Sequence, residues 1–190
     1  MNATHGKCSL YLTPEQANFN ITNVSTLIRA LQDINLISQK INSSQQNTHY
    51  FTGDKFLDYI AYMGCAPTIR FEADPKDSDN NSDFCFIKIH NHQSAKLIHS
   101  QTQARAPHCP NCKKPVENWQ DSKTDSTIHC NQCHSTSNIE AFDWRKMAGY
   151  AQLFIEITDI FPREAIPQQI LLDKLASITD VEWLYFYSCR

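Results

Sequence analysis

The stretch Tyr150-Ala151-Gln152-Leu153-Phe154-Ile155-Glu156-Ile157-Thr158-Asp159-Ile160-Phe161 sets the reading of the whole chain. Ala151, Leu153, Ile155 and Ile157 recur at every second residue, the period of a strand that turns one face to a core. Pro162 stops it, because proline brings no amide hydrogen to a sheet ladder. Pro167 then fits the first turn of a helix whose stripe is Ile170, Leu171, Lys174, Leu175 and Ile178. Val181 to Tyr187 (VEWLYFY) reads as a final strand rich in aromatic residues.

Similar units lie on the amino-terminal side. Lys7 to Thr13 is a short strand ended by Pro14. Val24, Leu27, Ile28, Leu31, Ile34, Leu36 and Ile37 place a helix over Asn23 to Gln39, capped by Thr22 or Asn23. A second helix is expected at Asp54 to Met63, burying Phe56, Leu57, Ile60 and Met63, with Gly64 at its exit and Pro67 barring continuation. Ala66 to Phe71 reads as extended and Phe84 to His90 as a returning strand, while the polar runs 42–47 and 74–83 are loops. Residues 91–108 are polar and poorly patterned. The expected fold is α+β: a mixed sheet with helices packed on it, built from 1–104 and 150–190 together, with an insertion over 105–149.

Composition narrows the functional classes. Of 190 residues, 41% are hydrophobic and 19% charged, which is enough apolar material for a packed core. The four glycines are far apart, so no glycine-rich phosphate loop can form. No apolar run at the amino terminus suggests a secretory signal, and no segment reaches membrane-spanning length, so a cytoplasmic protein without a membrane is expected. The net charge is −3, with the middle of the chain at +1 and residues 151–190 at −3. Strong nonspecific nucleic-acid binders carry a far larger positive excess.

The eight cysteines divide into two sets. Cys8, Cys65, Cys85 and Cys189 are scattered without pattern. Cys109-Pro110-Asn111-Cys112 and Cys130-Asn131-Gln132-Cys133 are two C-x-x-C pairs with seventeen residues between them. Two residues between sulfurs let both thiolates reach one ion, and two such pairs complete a tetrahedral site. Four thiolates leave no open position for water, so the expected ion is one structural zinc held by Cys109, Cys112, Cys130 and Cys133. Residues 109–133 resemble the zinc-ribbon families, whose two knuckles sit at hairpin tips and share one zinc. The resemblance covers about an eighth of the chain and is specific for metal rather than for an activity. In those knuckles the residue after the second cysteine is often glycine; here it is Lys113 in the first and His134 in the second. Trp119 and Ile128 are expected to supply the ribbon's small core.

Other candidates carry less chemistry. His90 and His92 share a side of one strand and could bind metal as a pair, but strand-end exposure is the simpler reading. His108, His129 and His134 flank the cysteines and could replace one as a ligand only if a cysteine were lost. Cys85 alternates with Ile87 and Ile89 and should face the core as a small apolar residue. Cys65 follows a helix, where the dipole does not stabilise a thiolate, so a nucleophilic role is disfavoured. Trp183, Tyr185, Phe186 and Tyr187 could stack bases, but no Lys or Arg is interleaved with them.

The sequence therefore favours a non-enzymatic protein whose partner is another protein, contacted as an interaction or adaptor module. The alternative is a nucleic-acid-associated ribbon protein in which Lys113, Lys114, Lys123, Arg145 and Lys146 touch phosphates while Trp119 or Trp144 stacks. A third reading is a hydrolytic or redox enzyme using Cys65 or the His90/His92 pair.

Overall fold

The computed structural model describes residues 8–41, 49–63, 69–72, 84–100, 105–160 and 164–189. Six strands make the main sheet: β1 (Cys8–Pro14), β2 (Ile37–Lys40), β3 (His49–Thr52), β5 (Phe86–His99), β8 (Ala148–Ile160) and β10 (Trp183–Cys189), in the order β10-β1-β8-β5-β3-β2. Every pairing in it is antiparallel. Two small pairs accompany it, β4 (Ile60–Tyr62) with β9 (Ala165–Pro167) and β6 (Thr127–His129) with β7 (Thr136–Asn138). The helices are α1 (Val24–Asp33), the single turn α2 (Phe56–Tyr59) and α3 (Gln169–Thr179).

The fold is thus sheet-dominated, with 43% strand, and the expected α+β class with a mixed sheet and packed helices is corrected. Helices were over-read from short apolar runs, whose period does not separate helix from strand. The helix expected to reach Gln39 stops at Asp33; Asn35 adopts φ 57°, and Ile37 begins a strand. Gly53 closes over that bend, since a Cβ there would lie 2.2 Å from the Asn35 carbonyl oxygen. The expected second helix shrinks to one turn, and Ile60 enters β4. Pro167 ends β9 rather than opening α3. Ile69 to Phe71 is not strand. The polar stretch after His90 joins β5, which runs 14 residues against the seven expected. The loops 42–47 and 74–83, and Gly64, Cys65 and Pro67, lie outside the described residues.

Alternation then builds two cores. Leu10 and Leu12 of β1, Ile87 and Ile89 of β5, and Leu153, Ile155 and Ile157 of β8 point to one side, where Leu27 and Leu31 of α1 and Leu171 and Leu175 of α3 meet them. Asn23 caps α1 by accepting from the Ser25 amide at 3.0 Å. The opposite side holds Tyr11, Phe154 and Phe186, with Tyr11 stacked on Phe186 at 5.0 Å and Phe154 edge-on to both. The β5–β8 register shifts between Asn91 and Lys96, so Ala151 joins this second cluster instead of facing the same way as Leu153.

Past that shift the β5–β8 ribbon folds over the second face. A Cβ on Gly149 would sit 2.3 Å from the Phe186 ring, so only glycine permits this approach. The Tyr187 amide donates to the Lys146 carbonyl and the Cys189 amide to Ser100 Oγ, tying part of β10 to the returning chain. Cys8 and Cys189 face each other across β1 and β10 and are joined by a disulfide, a pairing that their spacing in the sequence did not reveal. Among the described residues no helix is long and apolar enough to cross a membrane.

Candidate metal centre

The chain between β5 and β8 leaves and returns at adjacent points, because His99 pairs with Ala148. Within it the two C-x-x-C turns repeat one another. The Lys113 amide donates to the Cys109 carbonyl at 3.0 Å, and the Cys109 amide to the Lys114 carbonyl at 2.9 Å. The second turn has the same pair of bonds, His134 to the Cys130 carbonyl and Cys130 to the Ser135 carbonyl, both 2.8 Å. Lys113 and His134 both adopt the left-handed region, φ 60° and 58°. The knuckle turn is therefore kept at the two positions where glycine is missing, at a conformational cost of about 1 kcal/mol each.

These turns bring the four sulfurs within 4.8 Å of one another. The Cys109–Cys133 and Cys112–Cys130 Sγ separations are both 3.8 Å. A tetrahedral ion with metal–sulfur bonds of about 2.3 Å requires sulfurs about 3.8 Å apart, so the donor set fits a thiolate-bound metal. Among the described residues His108, His129 and His134 do not belong to the group, nor does any carboxylate. Local donors favour thiolate at two positions. Burial pushes the Cys109 thiol up, but the Cys112 and Asn111 amides, with Ser135 and Cys130, outweigh it and hold it down to about 6. The Ser135 side chain and amide hold Cys133 low as well.

Beneath the thiols lies a compact core. Val116, Trp119, Ile128, Ile139, Phe142 and Trp144 pack with Cys109 and Cys130 and run on to Ala148 at the start of β8. Trp119 meets Trp144 edge-to-face at 4.9 Å, and the Trp144 indole N–H donates to the Ile139 carbonyl. Trp119 and Ile128 do belong to the core expected of them, and Ile139, Phe142 and Trp144 belong to it as well. His108 ties the ribbon's base by pairing its backbone with that of Asp143.

A second polar cluster lies on the main sheet. Glu156 of β8 is only 3% exposed. Its carboxylate accepts from Ser9 Oγ at 2.9 Å, pairs with His90 Nε2 at 2.8 Å and lies 3.6 Å from Lys88 Nζ. Burial pushes its pKa up; His90 and Lys88 overcome this and hold it down to about 2. His92 stacks on His90 at 6.0 Å, so the two histidines do share a side as expected. They form no metal group among the described residues. The residue types suggest a hydrolytic triad, yet Ser9 bonds the carboxylate and not the imidazole, so the Ser–His contact of such a triad is not made. Sequence reading missed Glu156, although its outward position between Ile155 and Ile157 was visible in the alternation. Cys85 is fully buried and its thiol is pushed up to about 12, mainly by burial, which fits a core residue.

Comparisons of this chain with protein-family models, with curated proteins and with solved structures find no match. The reading of the site rests on its own geometry.

Proposed function

We propose that the chain is a non-enzymatic zinc-ribbon protein of the cytoplasm, with one structural zinc on Cys109, Cys112, Cys130 and Cys133, acting as a protein-interaction or adaptor module. The observation that carries this reading is the all-cysteine donor set: four sulfurs within 4.8 Å of one another, two of the pairs at 3.8 Å, with no histidine or carboxylate among the described residues in the group. Such a centre would fold and hold the ribbon while offering no coordination position to a substrate. The Glu156 cluster supports the non-enzymatic half, since both carboxylate oxygens are spent on internal partners.

The nucleic-acid reading loses its stacking groups. Trp119 and Trp144 are 3% and 7% exposed and pack on each other. Lys146 is engaged over the Tyr185 ring, 3.9 Å from its centroid. Lys113, Lys114 and Lys123 remain exposed.

A tagged pull-down with and without nuclease tests the reading. Defined protein partners that survive nuclease are expected; partners lost with nuclease would overturn it. Metal analysis should return one zinc per chain. For the compartment, alkylation in intact cells should label Cys8 and Cys189 if the surroundings are reducing; a bridge that stays unlabelled would remove the cytoplasmic placement.

A further inference from the structure

The outermost strand β10 pairs with β1 along its whole length, but its outer edge is engaged at only one end. Tyr187 and Cys189 direct their amides away from β1, towards Lys146 and Ser100. Alternation then turns the backbone groups of Trp183 and Tyr185 the same way, and among the described residues no hydrogen bond engages the outer edge there. Beside this open edge is a cleft of about 540 Å³ between β10, α3 and the ribbon's base. Trp144, Leu172, Trp183 and Tyr185 give it an apolar lining, and neighbouring Leu184 is 51% exposed.

Charge around the cleft is one-sided. Glu15, Glu140, Asp143 and Glu182 line it, against Arg145 and Lys146. Lys146 is already committed to Tyr185, donating to its hydroxyl and lying over its ring. No ion pair or hydrogen bond occupies the carboxylates of Glu15, Glu140 or Glu182 among the described residues. These acids stay solvated and available to a cation.

We infer that this cleft docks an extended peptide segment of a partner protein, one apolar side chain seated among Trp144, Leu172 and Trp183 and flanking Lys or Arg side chains held by Glu140 and Glu182. The segment adds to β10 as a further antiparallel or parallel strand, its backbone bonding Trp183 and Tyr185. Alternate residues of an added strand face the same way, so the apolar anchor and a basic neighbour two positions on can both reach the cleft. The acidic lining rejects nucleic acid and acidic peptides. The inference rests on the adaptor reading and specifies its contact surface.

The test pans a phage-displayed library of linear heptapeptides against the zinc-loaded chain. A fluorescein-labelled peptide of the enriched sequence is then titrated by anisotropy. Enrichment of an apolar residue with Lys or Arg two positions away is expected. The variant Glu140→Lys/Glu182→Lys should weaken binding at least tenfold, while Glu117→Lys/Asp121→Lys, the same charge change on the ribbon, should alter it less than twofold. Amide exchange at Tyr185 should slow on binding. Circular dichroism and zinc content identify a variant that fails to fold, in which case Leu172→Glu replaces it with the same tenfold expectation. Equal binding by the cleft variant, no enrichment, or self-association of the chain abolished by Glu182→Lys would each overturn the inference. Peptides that bind but map elsewhere would sink the cleft and leave the adaptor reading standing; an empty nuclease-treated pull-down would sink the adaptor reading itself.

Discussion

Replacing Glu156 by glutamine should flatten the acid limb of this protein's stability. The native carboxylate is held down to about 2, whereas an unfolded glutamate titrates near 4.5. The folded pKa is the lower one, so the stabilisation is complete above the unfolded value and is lost as pH falls towards 2. A gap of that size corresponds to about 3 kcal/mol at neutral pH and roughly 1 kcal/mol at pH 3. Glutamine keeps the shape and can still accept from Ser9, but it cannot answer the charge of Lys88. Urea unfolding of wild type and Glu156→Gln, run in parallel from pH 7 to pH 3, measures the difference at each pH. Taking the difference matters, because acid would also protonate thiolates holding a metal at the four cysteines and depress both curves together. The wild-type advantage should be about 3 kcal/mol at pH 7 and should shrink steadily below pH 4.5. Two parallel curves would refute the argument, since they would mean that Glu156 has the same proton affinity folded and unfolded.

Other outcomes follow from the remaining geometry. Serine at any of Cys109, Cys112, Cys130 or Cys133 should lower metal content and abolish the near-ultraviolet dichroism of the Trp119–Trp144 pair; a fully folded preparation without metal would falsify the metal assignment. Gly149→Ala should destabilise by about 1–3 kcal/mol, read as a lowered urea midpoint, because the new methyl meets the buried Phe186 ring. Lys113→Gly should instead stabilise by up to about 1 kcal/mol by relieving the left-handed backbone, read as a raised urea midpoint, without changing metal content.

What the sequence made legible was whatever depends on local period or local spacing. The inward set Leu153, Ile155 and Ile157 was readable because a strand with one face in a core must alternate. The four cysteines were readable because C-x-x-C spacing reflects the reach of two sulfurs to one ion. Both features hold in the folded chain. What failed depended on partners far along the chain. Residues after His90 look patternless because they fold across the outer face, yet β8 holds them as strand. Leu36 and Ile37 continue a helical stripe in sequence, but the chain bends at Asn35 and Ile37 begins β2. Cys8 and Cys189 meet only through the β1–β10 register. Glu156 was unremarkable as a letter and became a charged centre once β1 and β5 supplied Ser9, Lys88 and His90.

The pairing of His99 with Ala148 bears on how quickly the chain can assemble. The two longest strands, β5 and β8, form the middle of the sheet, yet everything from Ser100 to Met147 lies between their facing ends. Closing so long an unstructured loop delays the hairpin, and if a metal at the four cysteines folded this segment first, the effective separation would shrink to a few residues. That is worth on the order of 2 kcal/mol of closure entropy. Metal supply would then set the speed at which the sheet forms, so that chelation during refolding slows a part of the molecule that never touches the ion.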